Sequence, residues 1–283
     1  MRNFIIRALT GITYAALLIG CTVFSPVTAF FFFAIVAFAC VWEFCGLMNR
    51  HAGASLVPPL SALAAVILVA AVWLMCIGSE NAVRTIVLYG LLLMYMLISE
   101  LYRRADNPLR NWALNFMAQV YVALPFALLP MLSVTYDEAA SSYAYNWIYP
   151  LALFVFLWCN DTGAYLFGMA LHRYIPAKLF PRISPKKSWV GSVGGGLLTL
   201  AVSAVIWKVS SGLLPLWQWL GFALVVVVFG TWGDLVESLL KRHLGVKDSG
   251  NVLPGHGGLL DRFDSALLAV PAVVIYFLLV QSY

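Results

Sequence analysis

The sequence predicts an all-α fold, a polytopic integral membrane helix bundle of about nine transmembrane helices with its N-terminus in the cytoplasm. Three observations predict it. First, 63% of the 283 residues are apolar and only 10% are Asp, Glu, Lys or Arg, with a mean hydropathy of +0.90; a soluble domain carries roughly 25% charge. Second, the apolar residues fall in runs of the length that a bilayer demands, about 20 residues per helix. Third, the cations sort to alternate connections between those runs, as the positive-inside rule requires.

The runs cover residues 8–24, 28–48, 57–76, 85–102, 113–133, 147–170, 189–207, 216–240 and 264–282. Arg2 and Arg7 precede the first run, but no small-residue cleavage site follows it, so the first run is expected to be an anchor and not a removed leader. Pro26 separates the first run from the second. With the N-terminus inside, all of the 17 Lys and Arg residues except Arg84 and Lys208 fall on the cytoplasmic side. The net charge of +5 is thereby gathered on one face, where it would attract anionic lipids and nucleotides. No basic–aromatic module appears, so no nucleic acid is expected as a partner. Trp112, Trp147, Trp189, Trp207 and Trp217 stand near span ends, as an interfacial belt does. Cys21, Cys40, Cys45, Cys76 and Cys159 lie in or beside apolar runs without a CxxC pair, which argues for buried small hydrophobes and against disulfides or zinc. The charge pattern and the lack of an organelle signal suggest a bacterial inner membrane, with the polar site facing the cytoplasm.

No linker or repeat divides the chain, so residues 1–283 are read as a single membrane domain. Residues 1–135 are scaffold spans, with Glu43 and Glu100 as their notable acids. Residues 147–283 are the catalytic half, carrying nearly every polar group set against a span. Ionisable groups at a membrane edge are costly to desolvate and mark function by default.

Three constellations stand out in that half. In the eighth span, Asp234, Ser238 and Lys241 follow one another at i, i+4 and i+7, with Glu237 beside them. Such a stripe could hold a metal and phosphate oxygens, or it could be an intrahelical ion pair. The second constellation runs from Gly245 to Asp264 and contains Lys247, Asp248, His256, Asp261 and Arg262. Its Gly250, Gly255, Gly257 and Gly258 permit close backbone approach, so main-chain N–H groups could converge on an anion. Asp261 and Asp264 open the ninth span, where helix capping is the competing explanation. His256 has no partner of its own kind nearby, so hydrogen bonding suits it better than metal ligation. The third constellation joins Asn160, Asp161, Thr162 and Tyr165 in the sixth span to Ser184, Lys186, Lys187 and Ser188 before Trp189. Two lysines and two hydroxyls at a helix start suit phosphate, or they simply stop translocation. Gly191, Gly194, Gly195 and Gly196 point to close helix packing and not to a phosphate loop, since no Gly-Lys-Ser/Thr follows.

The segment Ser238–Asp264 resembles the C-terminal pattern of the phosphatidate cytidylyltransferases (CDP-diacylglycerol synthases). The matching positions are Ser238, Lys241-Arg242, Lys247-Asp248, Pro254, His256-Gly257-Gly258 and Asp261-Arg262-Phe263-Asp264. Upstream, Asn160-Asp161-Thr162, Ser184-Pro185-Lys186-Lys187-Ser188 and Gly233-Asp234 are similar to family features; the front third agrees only in hydropathy and in Trp42-Glu43. The resemblance implies transfer of the cytidylyl group of CTP to phosphatidate, giving CDP-diacylglycerol and pyrophosphate. It implies Mg²⁺, with a second cation such as K⁺, and it makes Asp234 and Asp261 the metal-binding aspartates. Catalytic residues would then be Asp234, Asp261, Lys241 and Asp161. Ser184, Lys186, Lys187, Ser188, Ser238, Arg242, Lys247, His256 and Arg262 would contact nucleotide, phosphate or lipid headgroup. A homodimer is compatible with a bundle of this size. Transfer to another membrane lipid uses the same chemistry, while a transporter would show paired repeats that are absent here. The spaced pattern of the CDP-alcohol phosphotransferases is also absent.

Overall fold

The computed structural model describes residues 2–171, 173–210, 212–250 and 257–280, with side chains from Leu9 onward. Among the described residues nine helices occur, in the order α1 (Arg2–Phe24), α2 (Pro26–His51), α3 (Pro58–Cys76), α4 (Asn81–Arg103), α5 (Pro108–Ser133), α6 (Ile148–Leu171), α7 (Trp189–Val209), α8 (Leu216–His243) and α9 (Leu260–Val280). Eight of them are long and apolar enough to span a bilayer, and Leu9–Phe24 is a shorter apolar helix. Each predicted run therefore has its helix, and the protein is a multi-pass membrane bundle.

The sequence pattern did not announce two short antiparallel hairpins. Val134–Asp137 (β1) pairs with Ser142–Tyr145 (β2), and Lys178–Phe180 (β3) pairs with Ser184–Ser188 (β4). Strands of three to five residues are too short to show a period of two in an otherwise helical chain. Tyr145 closes the first hairpin, donating its hydroxyl to the Thr22 carbonyl at 2.6 Å; burial pushes that phenol up to about 12.

The chain forms two compact units. The first comprises Met1–Tyr149 together with Leu244–Phe263, and the second comprises Pro150–His243 together with Asp264–Tyr283. In the first, α2 packs on α1, α3 and α5. Ser25 caps α2 in a reciprocal box, accepting from Thr28 N at 3.1 Å while its own N–H reaches Thr28 Oγ1 at 3.1 Å. Pro26 sits at the first helical position, where its missing N–H costs nothing. Helix α5 widens into a π turn over Ala118–Ala123. Pro125 cannot donate to Tyr121, so the regular i−4 ladder is broken where the turn occurs. Buried polar groups in this unit find each other: Glu100 accepts from Arg103 Nη1 and Asn111 Nδ2, both at 2.8 Å, and Ser61 donates to Asn115 Oδ1 at 2.6 Å. Among the described residues the five cysteines are free, with Cys40 and Cys45 fully buried.

In the second unit, Trp219, Phe156, Phe222 and Phe277 form an aromatic core, Trp219 stacking on Phe222 while Phe156 and Phe277 meet them edge to face. Helices α6 and α7 meet through glycine. A side chain on Gly163 would come within 2.8 Å of the Gly195 Cα, and one on Gly191 within 2.7 Å of the Ala164 carbonyl. The glycines of α7 thus serve helix packing, as their place inside a span suggested. Gly195→Ala would press a methyl to 2.8 Å from Asn160 Oδ1 and 3.0 Å from Ala164 N. We expect it to destabilise by about 1–3 kcal/mol. Gly90→Ala, where nothing lies within 4 Å, should be neutral or stabilising. Thermal unfolding of both variants in one detergent checks the contrast.

Candidate functional site

The second unit holds a polar cavity of about 280 Å³. Asp161 and Asn160 of α6, Lys186, Lys187 and Ser188 of β4, and Thr231 and Asp234 of α8 line it. Three separate stretches of sequence therefore supply one wall each. The β3–β4 hairpin delivers the two lysines, and Ser188 ends it as the N-cap of α7, accepting from Gly191 N at 3.2 Å. Asp234 is the hub. Its Oδ2 lies 2.6 Å from Lys187 Nζ, and its Oδ1 accepts from Ser238 Oγ at 3.1 Å. Asn160 Nδ2 reaches Thr231 Oγ1 at 3.3 Å, tying α6 to α8 at the cavity floor.

Gly233 brings a further acid to this cluster. A side chain there would meet the Asp264 carbonyl at 2.6 Å, so the absence of one lets α8 run against the start of α9. Asp264 then has Asp234, Asp161 and Lys241 as charged neighbours. One turn beyond Asp234, Glu237 is fully buried and pairs with Lys241 Nζ at 2.6 Å. That is the intrahelical ion pair that the i,i+4 spacing allowed. Arg242 is exposed, and Ser184 is half-buried at the far end of β4, opposite Phe180.

The first unit holds the other acids. Asp261 is 8% exposed, and its Oδ2 accepts from Ser249 N at 2.9 Å and from Gly258 N at 2.8 Å. Gly257 supplies the turn between them at φ +82°, where a side chain would be strained. Glu43 of α2 accepts from Ser249 Oγ and, at 2.8 Å, from Leu259 N. Among the described residues the amides of Ser249, Gly258 and Leu259 point at the protein's own carboxylates, Asp261 and Glu43. Beside them lies a groove of about 850 Å³, walled by Phe38, Trp42 and Leu47 and ending at Arg50, His51 and Asp248. Lys247 and Arg262 are exposed. His256 lies outside the described residues.

The structure thus gathers Asp161, Asp234, Lys186, Lys187 and Ser188 around one cavity, with Ser238 on its hub, and adds Asn160, Thr231 and Asp264. Within the first unit it places Asp261 in a cradle of loop amides shared with Glu43. Glu43 was visible in the sequence as an acid within an apolar run, but nothing there named its partners.

The sequence profile of the Cytidylyltransferase family matches residues 5–280. The chain belongs to that family. Among its relatives is a phosphatidate cytidylyltransferase of Staphylococcus aureus, 47% identical over 134 residues, which are 47% of this chain and 50% of that protein. The enzyme of that name from Staphylococcus haemolyticus is 37% identical over 193 residues, 60% of this chain and 72% of that one. That from Staphylococcus saprophyticus is 47% identical over 133 residues, 47% of this chain and 49% of that one. The chain spans about half the length of the first of these relatives.

Within this family member the Lys187–Asp234 contact is open to test as a tertiary ion pair. Both side chains are about a quarter exposed, at 25% and 28%. Solvent therefore screens the pair, and a double-mutant cycle of Lys187→Met and Asp234→Asn should give a coupling of about 0.5–1 kcal/mol in thermal unfolding.

Proposed function

We propose that this protein transfers the cytidylyl group of CTP to phosphatidate, releasing pyrophosphate and leaving CDP-diacylglycerol in the membrane. The single observation that carries the proposal is the cavity that Asp161, Asp234, Lys186 and Lys187 share. Carboxylates beside lysines suit a ligand that brings both a cation and phosphates. The family membership and the relatives' name support the same reading.

The chemistry is a displacement at phosphorus. A phosphatidate oxygen forms a bond to the α-phosphorus of CTP, the bond from that phosphorus to its bridging oxygen breaks, and the electron pair leaves with pyrophosphate. A phosphate monoester already carries about −1.5 to −2 charge at neutral pH, so it needs no strong base. The difficulty is bringing two polyanions together. Lysines and arginines ease it by neutralising and positioning charge. In this proposal Lys186, Lys187 and Ser188 hold nucleotide phosphates, and Ser184 and Ser238 assist. Lys241, Arg242, Lys247, His256 and Arg262 steady phosphates or the leaving pyrophosphate.

The donor set fits Mg²⁺. Among the described residues no three His, Cys, Asp or Glu side chains form a ready metal cage. Mg²⁺ is held instead by one or two carboxylates together with substrate phosphates and water. Asp234 would supply such a carboxylate, Asp161 a further one, and Asp261 is the other metal-binding aspartate of the pattern, with K⁺ as a companion cation. When bound, Mg²⁺ supplies charge neutralisation at the reacting phosphates. We further propose that the N-terminus and the site face the cytoplasm of a bacterial inner membrane, because the cations gather on that side. A homodimer enters the proposal on bundle size alone, and cross-linking in membranes tests it.

Purified protein given labelled CTP and phosphatidate should form CDP-lipid and pyrophosphate, and EDTA should stop it. Asp234→Asn should insert and purify normally but lose at least about 100-fold in turnover. Activity toward a different lipid but not phosphatidate, or near-normal turnover in that variant, would overturn the reading.

A further inference from the structure

Glu43 is a buried acid for which the proposed reaction has no use. It lies in the interior of α2, 6% exposed, among Cys40, Phe44, Cys45 and Leu47, all fully buried or nearly so. A carboxylate there is costly unless donors surround it. Its donors come from the far end of the chain. Ser249, 206 residues away, gives its hydroxyl, and Leu259 gives its N–H at 2.8 Å. The loop closes on it tightly: a side chain on Gly250 would come within 2.8 Å of Glu43 Cδ, and one on Gly258 would overlap the carboxylate. Those two glycines are therefore spaces cut to fit this one acid.

The same backbone positions serve Asp261. Ser249 gives its N–H to Asp261 and its O–H to Glu43. Gly258 gives its N–H to Asp261, and the next residue gives its N–H to Glu43. Two carboxylates thus share one pair of loop ends, and neither end can shift without moving against both. Asp261 Oδ2 is fixed by two loop amides, so the plane of its carboxylate follows the loop. The described part of the loop carries Gly250, Gly257 and Gly258, which bring no side chains of their own to hold it in place. Its reference point is a helix.

We propose that Glu43 is a positioning residue that anchors the glycine loop to α2 and thereby sets the orientation of Asp261. The inference rests on the functional reading above only for the role of Asp261; the anchor itself stands on geometry. It assigns a function in the site to a residue of the scaffold spans, which the sequence pattern of the back half does not include.

The test compares Glu43→Ala, Glu43→Gln and Ser249→Ala with the unaltered protein. Hydrogen exchange of the peptide covering residues 244–262 is read first, without nucleotide or metal. Loss of the anchor should speed exchange of the loop amides about tenfold in Glu43→Ala, and by less in Ser249→Ala, which keeps the Leu259 bond. Glu43→Gln retains an acceptor for Leu259 and a partner for Ser249, so it should stay close to the unaltered protein. Turnover should fall about 10–100-fold in Glu43→Ala with a higher Mg²⁺ requirement, and recover most of the way in Glu43→Gln. Unchanged loop exchange in Glu43→Ala overturns the proposal whatever the activity does. If that variant does not purify, unchanged exchange in Ser249→Ala does so instead. Should the unaltered protein transfer no cytidylyl group, the exchange result still decides whether Glu43 anchors the loop, so the two readings fail separately.

Discussion

A carboxylate inside an apolar helix must find donors within reach, and this constraint organises the molecule. Burial of such a group without partners costs several kcal/mol. Each acid in the interior answers it differently. Glu100 takes Arg103 and Asn111 within its own unit. Glu237 takes Lys241 one turn along the same helix. Asp234 reaches across to Lys187 on a hairpin and to Ser238 on its own helix. Glu43 and Asp261 divide the amides and hydroxyl of one loop between them. The first two solutions close in on themselves. The cluster at Asp234 opens onto a cavity, and this separates a candidate site from a structural pairing.

Glycine makes those meetings geometrically feasible. Gly163, Gly191 and Gly195 let α6 and α7 approach to backbone distance, which carries Asn160 and Asp161 to the hairpin lysines. Gly233 does the same for α8 against α9. In a membrane there is little hydrophobic drive between helices, so close van der Waals contact through small residues has to supply the association. The site exists because its supporting helices can touch.

The helical runs were legible in the sequence because their signal is local: about 20 consecutive apolar residues announce themselves without reference to the rest of the chain. The glycines of α7 were legible for the same reason, since a small residue repeated within a span has few other uses. Asp161, Asp234, Lys186 and Lys187 could be picked out one by one as scarce charges at span ends. Their convergence could not, because Lys187 and Asp234 stand on different elements and no periodicity relates them. Lys241 shows the opposite case, in which the i,i+4 spacing to Glu237 was readable and the pair is present. The hairpins were too short to register, and the π turn depends on one proline's missing donor. Glu43 could be seen as an acid in an apolar run and as part of the Trp42-Glu43 resemblance, but not with its partners, which lie on a segment whose glycines give no hint of direction.

The separation between Glu43 and Ser249 also bears on how the protein is made. A ribosome adds about 5–20 residues per second. The second helix therefore reaches the bilayer roughly 10–40 seconds before the donors that will satisfy its acid are synthesised. For that interval water or the translocation machinery has to solvate the group. Insertion and final assembly are consequently distinct stages, and the front unit is completed only when the loop between α8 and α9 emerges to close it.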